Sequence, residues 1–182
     1  QGNRNIRHRD AVVNCEPEGL AHSFDEVHGA SVCAIGLRVV DVNAALTRAA
    51  ALSVPKFDQA VGPEEMQIPS VMGVGGSLLY FIEDGTQEAM WAHEFVPADP
   101  PAGGPRGLGL RTSDHIAQTM QYEEFLSWLL YYLALFDVAK TPQVEIADTL
   151  GLVQSQAVEA PDRSLHRQPQ GEVAAFAGQA PE

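Results

Sequence analysis

The sequence contains few cysteines and no cysteine motif of the kind that binds metal. Cys15 and Cys33 are the two cysteines among 182 residues, and they do not form the C-x-x-C pair that zinc sites and thiol-exchange sites use. A chain of this length also has no need of disulfide bonds to supplement a small core. The cysteine content therefore favours a reducing compartment, and we expect a cytoplasmic protein.

Basic residues and long hydrophobic segments are also scarce. There are 11 Lys and Arg against 24 Asp and Glu, giving a net charge of -13, which disfavours non-specific binding to nucleic acid or to anionic membranes. The longest apolar run, residues 125–136, is shorter than the roughly 20 residues that a membrane-spanning helix needs. No signal peptide is visible. We expect a soluble protein with neither nucleic acid nor membrane as a partner. Since residue 1 is Gln and not Met, we also expect a fragment of a longer chain.

A strand followed by a helix opens the patterned part of the sequence. Residues 31–40 are rich in β-branched and aliphatic side chains and predict a strand. Asp41 is a favourable N-cap residue, and the Ala/Leu-rich segment 42–52 has helical periodicity. Val54-Pro55 is expected to end this helix.

Three further strands are predicted after this helix. Residues 56–63 supply a short strand and a turn, and residues 67–74 and 77–82 predict two strands joined at Gly75-Gly76. The order is therefore β-α-β-β-β. Because the glycine cluster joins two strands and does not open a helix, it is not a phosphate-binding loop.

The second half repeats this order. Residues 108–117 predict a strand that contains His115, and residues 122–136 predict a helix whose apolar residues recur at intervals of three and four. Residues 144–147 and 152–158 then predict two strands around a turn. A histidine on a strand before an amphipathic helix is a common arrangement for directing an imidazole into a cavity, although such a histidine is more often a hydrogen-bonded core residue than a ligand.

Composition suggests where the two units begin and end. Residues 83–106 have the composition of a connecting segment, and Trp91 and Phe95 are expected to dock it onto a core. Residues 165–182 are poor in large apolar side chains and predict disorder. His22 and His28 are six residues apart, a spacing that does not place two side chains on one helix face. We therefore expect both to lie in a loop or on the surface.

Several long segments of the sequence resemble one known family. The segments PSVMGVGGSLLYFIE (residues 69–83) and GLGLRTSDHIAQTM (residues 107–120), together with residues 12–55, resemble bacterial 4-hydroxyphenylpyruvate dioxygenases. Residues 122–165 resemble the variant of this module that is fused behind a sugar-phosphate-isomerase-like barrel in bacterial 3-dehydroshikimate dehydratases. The resemblance covers residues 11–165 in sequence order.

The resemblance implies an α+β fold of tandem βαβββ vicinal oxygen chelate modules, both incomplete. The first module would occupy residues 1–96 without its N-terminal strands, and a linker would follow at 97–106. The start of the second, metal-type module would occupy 107–164, and a disordered or non-family tail 165–182.

The resemblance also implies a chemistry. In the dioxygenase family, two His and one Glu hold Fe(II) and leave positions open for an α-keto acid and O2, and the product is homogentisate. His115 corresponds to the first metal ligand, and Ser155 corresponds to a serine near the substrate. The resemblance assigns no other catalytic residue in this sequence.

The departures from the family lead to two hypotheses. The second His and the Glu would come from later strands, which the sequence is expected to lack, and His166 is no replacement because the tail shows no strand pattern. The first hypothesis is therefore a fragment of a dioxygenase-like, Fe(II)-type enzyme module for an aromatic α-keto acid, inactive as it stands. The alternative is the non-catalytic C-terminal module of a 3-dehydroshikimate dehydratase, which converts 3-dehydroshikimate to protocatechuate.

In the alternative, the dehydration and its Mg, Mn or Co ion belong to the barrel. The present chain would serve structure or oligomerisation through the helix predicted at 122–136. The resemblance implies a homo-oligomeric parent and, as partners, an aromatic keto acid or a shikimate-pathway acid.

Overall fold

The computed structural model describes residues 19–63, 65–95, 116–148, 151–161 and 174–179. The chain divides into two compact units, one formed by residues 9–111 and one that contains residues 112–182. Among the described residues, no helix combines the length and the apolar composition needed to cross a membrane.

The described part of the first unit has three α-helices and four strands. In chain order these are α1 Leu20–His28, β1 Ala34–Val39, α2 Val42–Ala51, β2 Lys56–Phe57, β3 Ser70–Met72, β4 Leu78–Glu83 and α3 Gln87–Glu94. From β1 onward, the order β-α-β-β-β agrees with the prediction.

The four strands form one sheet in the order β1-β4-β3-β2. β1 and β4 are parallel, with Ala34 opposite Leu78, while β3 is antiparallel to both β4 and β2. A parallel pair requires a crossover connection, and α2 lies in the segment that joins β1 to the rest of the sheet. The core residues Val71, Leu79 and Phe81 are each only 1% exposed.

Local signals explain the borders of α2 and of the β3–β4 hairpin. The Asp41 carboxylate accepts a hydrogen bond from the Ala44 amide at 2.9 Å, which confirms the predicted N-cap. In the hairpin, Gly75 and Gly76 have φ angles of 62° and 83°. Residues with a Cβ rarely adopt this conformation, so glycine is the residue that permits the turn here.

His22 is partly exposed and His28 is exposed, which agrees with the predicted surface position, although the segment that carries them is helix α1 and not a loop. One prediction about the first unit is wrong. Residues 87–94, placed by composition in a connecting segment, form α3, and the side chain that docks this helix is Met90, which is 5% exposed. Trp91 is 37% exposed and instead contacts Phe95, with ring centroids 4.7 Å apart.

The described part of the second unit has one α-helix and five strands. These are β5 Ile116–Gln121, α4 Tyr122–Leu135, β6 Ala139–Lys140, β7 Val144–Asp148, β8 Gly151–Glu159 and β9 Ala174–Gln179. The predicted helix at 122–136 and the predicted strands around residue 150 are confirmed. The described part of the first strand covers Ile116–Gln121. Of the strand predicted at 108–117, residues 108–115 lie outside the described residues.

β9 corrects the prediction of disorder for part of the tail, residues 174–179, while the rest of the predicted tail at 165–182 lies outside the described residues. β9 is parallel to β5 and antiparallel to β8, and β7 and β6 pair with β8 on its other edge. The described part of this unit therefore has the order β-α-β-β-β-β, one strand more than the β-α-β-β-β order of the first unit. The expectation that its strands stop after residue 158 is wrong. The strand was missed because Ala174–Gln179 has neither β-branched residues nor polar–apolar alternation.

Helix α4 is apolar on more than the face it buries. Phe125, Leu129 and Leu135 are between 3% and 5% exposed, and each contributes roughly 2 kcal/mol through burial. On a neighbouring face, Leu126 and Leu130 are 67% and 63% exposed, and Tyr122 is 38% exposed. These last three residues, four apart along the helix, are referred to below as the α4 stripe.

Candidate functional site

The face of the second sheet that packs on α4 is defined by a tyrosine–glutamine hydrogen bond. The Tyr132 hydroxyl of α4 donates to Gln118 Oε1 of β5 at 2.8 Å. Burial raises the pKa of Tyr132 to about 12. Gln118 therefore points toward α4, and the residues that alternate with it, Ala117 and Thr119, are exposed.

Ser155, the predicted substrate-binding residue, lies half-buried on the opposite face of this sheet. Gln118 and Gln156 are both paired with position 176 of β9, so they share the α4 face. Ser155 precedes Gln156 and points to the other side. Like Thr119, it is paired with position 177, and the two Cα atoms are therefore separated by two strand spacings, roughly 10 Å.

Gln156 is a buried polar residue that holds β8 in place beside Ser155. It is 3% exposed, and its Nε2 donates to the carbonyl oxygens of Thr141 at 2.6 Å and Ala157 at 2.8 Å. The Thr141 backbone N–H also donates to the Ala157 oxygen, at 3.0 Å. A buried amide group needs such partners, so this cluster fixes the residue next to Ser155.

Glu159 is a residue that sequence reasoning missed. It lies on β8 at the same alternation as Ser155, and it lines a hollow of about 260 Å³ together with Lys140 and Thr141. Side chains alternate between the two faces of a sheet along a strand, so the spacing of four residues within β8 could have predicted that Glu159 and Ser155 lie on the same face. The hollow is bounded by one ammonium and one carboxylate and is not a three-ligand metal site.

His115, the predicted metal ligand, lies outside the described residues, and so does His166. Within the described ranges, no group of three or more His, Cys, Asp or Glu side chains could hold a metal ion. These residues by themselves do not fit a facial triad of two His and one carboxylate.

The other histidines singled out from the sequence make local contacts. His28 Nε2 donates to the Gly75 carbonyl oxygen at 3.0 Å, which ties the end of α1 to the β3–β4 hairpin. His22 Nε2 lies 3.5 Å from Glu26 Oε1, one helical turn away. Both contacts are structural, and neither histidine belongs to a cluster of potential metal ligands in the described part of the chain.

A protein-family model described as the N-terminal part of hydroxyphenylpyruvate dioxygenase matches residues 5–95, which is half of the 182-residue chain. The chain belongs to this family. The match spans the described part of the first unit, from α1 to α3, and agrees with the resemblance found in the sequence.

Individual relatives of this dioxygenase-family chain extend the match into the second unit. A 3-dehydroshikimate dehydratase from Pseudomonas aeruginosa is 41% identical over 155 residues, which are 85% of this chain and 24% of the relative. A 4-hydroxyphenylpyruvate dioxygenase from Pseudomonas sp. (strain P.J. 874) is 30% identical over 152 residues, 83% of this chain and 43% of that one.

A solved structure gives the fold. This structure is that of a xylose isomerase-like TIM barrel/4-hydroxyphenylpyruvate dioxygenase fusion protein, which is 35% identical in sequence and superposes with a TM-score of 0.64. The matched region covers 93% of this chain and 24% of the fusion protein. The fold is thus the glyoxalase/dioxygenase-like α+β fold that the sequence predicted. The chain spans about a quarter of the dehydratase and fusion relatives and under half of the dioxygenase.

Proposed function

We propose that this chain is part of a 4-hydroxyphenylpyruvate dioxygenase-like, Fe(II)-type enzyme module and is inactive by itself. The observation that carries the proposal is the family match over residues 5–95. In this proposal, His115 supplies one metal ligand and Ser155 contacts an aromatic α-keto acid. Fe(II), when bound in such a module, would supply the site at which the keto acid and O2 meet.

The arrangement of the second sheet supports a shared site for these two residues. His115 comes two positions before Ala117, and side chains alternate along an extended strand. The strand that the sequence predicts over residues 108–117 gives His115 the same alternation as Ala117, and Ala117 shares a face with Thr119 and Ser155. The α4 helix covers the other face, so this face is the one left for a ligand.

The metal centre of this proposal is completed outside the described residues. These residues hold no cluster of potential ligands, and affinity for a divalent ion depends on the number and geometry of the ligands. One imidazole alone gives weak binding. We therefore assign no catalytic step to this chain, and we expect no O2 uptake when it is mixed with Fe(II) and 4-hydroxyphenylpyruvate.

Calorimetric titration with Co(II) or Fe(II) tests the proposal. The wild type, His115→Ala and, as a matched control, His93→Ala, whose exposed histidine lies on α3, would be compared. The expected result is no binding in the micromolar range for any of them. Micromolar binding that only His115→Ala abolishes would show that a complete site exists and that the chain is not an incomplete module. Micromolar binding that survives His115→Ala would remove the assignment of His115.

A second candidate function is favoured by the identity of 41% with the dehydratase. In this case the chain is a non-catalytic module of a 3-dehydroshikimate dehydratase, and its role is structural or concerns oligomerisation. The Mg, Mn or Co ion and the substrate acid would then belong to a barrel. The α4 stripe supports this candidate, because it is an exposed apolar surface on an otherwise acidic protein.

The gene distinguishes the two candidates. An upstream, in-frame isomerase-like barrel would support the dehydratase, whereas a start codon just before the first module would support the dioxygenase. A cytoplasmic location, a homo-oligomeric parent and the absence of nucleic-acid and membrane partners remain predictions from composition and resemblance.

A further inference from the structure

We draw no further inference here: the strongest candidate, the exposed apolar α4 stripe of Tyr122, Leu126 and Leu130, already serves the second candidate function, and nothing in the part of the chain that the structure describes shows what else would cover it.

Discussion

Single polar groups at element ends are expected to stabilise this fold, and Asp41 is the simplest to test. Its carboxylate caps α2 through the Ala44 amide at 2.9 Å. Asp41→Ala should lower the free energy of unfolding by about 1 kcal/mol, because an amide at the helix start loses its acceptor. Urea denaturation would measure the change. Asp41→Asn keeps a side-chain oxygen and is expected to behave almost like the wild type, and equal losses in both variants would contradict the capping role.

Tyr132 should make the second unit sensitive to alkali. Its pKa is raised to about 12 in the folded protein, against about 10 in an unfolded chain. Between these two values the unfolded state has released the proton and the folded state has not. Stability from this group is therefore complete below pH 10 and is lost as the pH rises toward 12, by up to about 3 kcal/mol.

The variant that tests this effect is Tyr132→Phe. At neutral pH it should cost about 1 kcal/mol, since the hydrogen bond to Gln118 is lost. Between pH 10 and 12 it should lose less stability than the wild type, as followed by urea denaturation at several pH values. Tyr122→Phe, at an exposed position of the same helix, is the control and should leave the alkaline loss unchanged. A wild-type loss that Tyr132→Phe does not reduce would show that other groups cause it.

At the scale of elements, the two apolar faces of α4 should respond differently to truncation. Phe125 is 3% exposed and its neighbour Leu126 is 67% exposed. Phe125→Ala should therefore cost about 3–5 kcal/mol through the cavity that it leaves, while Leu126→Ala should change stability by less than about 0.5 kcal/mol. Thermal unfolding followed by circular dichroism would compare them. Similar losses in both variants would mean that α4 does not pack as described.

The elements that the sequence predicted well are those with strong local signals. The sequence predicted α4 and α2 because their apolar residues recur every three or four positions. It also predicted the N-cap at Asp41 and the turn at Gly75-Gly76, because these residue types favour those conformations. β9 could not be found in this way, since its strand conformation depends on two neighbouring strands that pair with it. α1 and α3 were not predicted because both helices are short, nine and eight residues, and their apolar residues give only a weak helical pattern.

The candidate site was less accessible to pattern reasoning than the fold. The assignments of His115 and Ser155 come from the resemblance, because neither residue has a local pattern that states its chemistry. The sheet registers then added what the sequence could not provide. The pairings between strands far apart in the chain place Ser155 on the face away from α4, and Glu159, four residues later on β8, lies on the same face.

For the molecule as a whole, net charge and the α4 stripe oppose each other. A charge of -13 makes copies of the chain repel, while residues 125–136, which include Leu126 and Leu130, contain no charged side chain. Under the second candidate function, self-association through the stripe should be stronger in high salt, where the Debye length falls from about 30 Å at 0.01 M to about 3 Å at 1 M.

Sedimentation velocity at these two ionic strengths would test the association. The wild type should associate weakly and more strongly at high salt, because three side chains form a smaller surface than a stable dimer buries. The double variant Leu126→Glu/Leu130→Glu should stay monomeric under both conditions, and Ser127→Glu, an exposed substitution on the same helix, is the matched control. A wild type that is monomeric at high salt, or a double variant that associates equally, would contradict the role of the stripe.

The position of β9 has a consequence for synthesis on the ribosome. β9 lies between β5 and β8 although it comes last of the three along the chain. The edges of β5 and β8 that pair with β9 therefore stay unpaired until residue 179 has left the ribosomal exit tunnel. The described part of β5 begins at residue 116, and the 63 residues that follow it, up to 179, take roughly 3–13 s to translate. During this time the growing chain exposes unpaired strand edges, and it is then that a chaperone would protect it most.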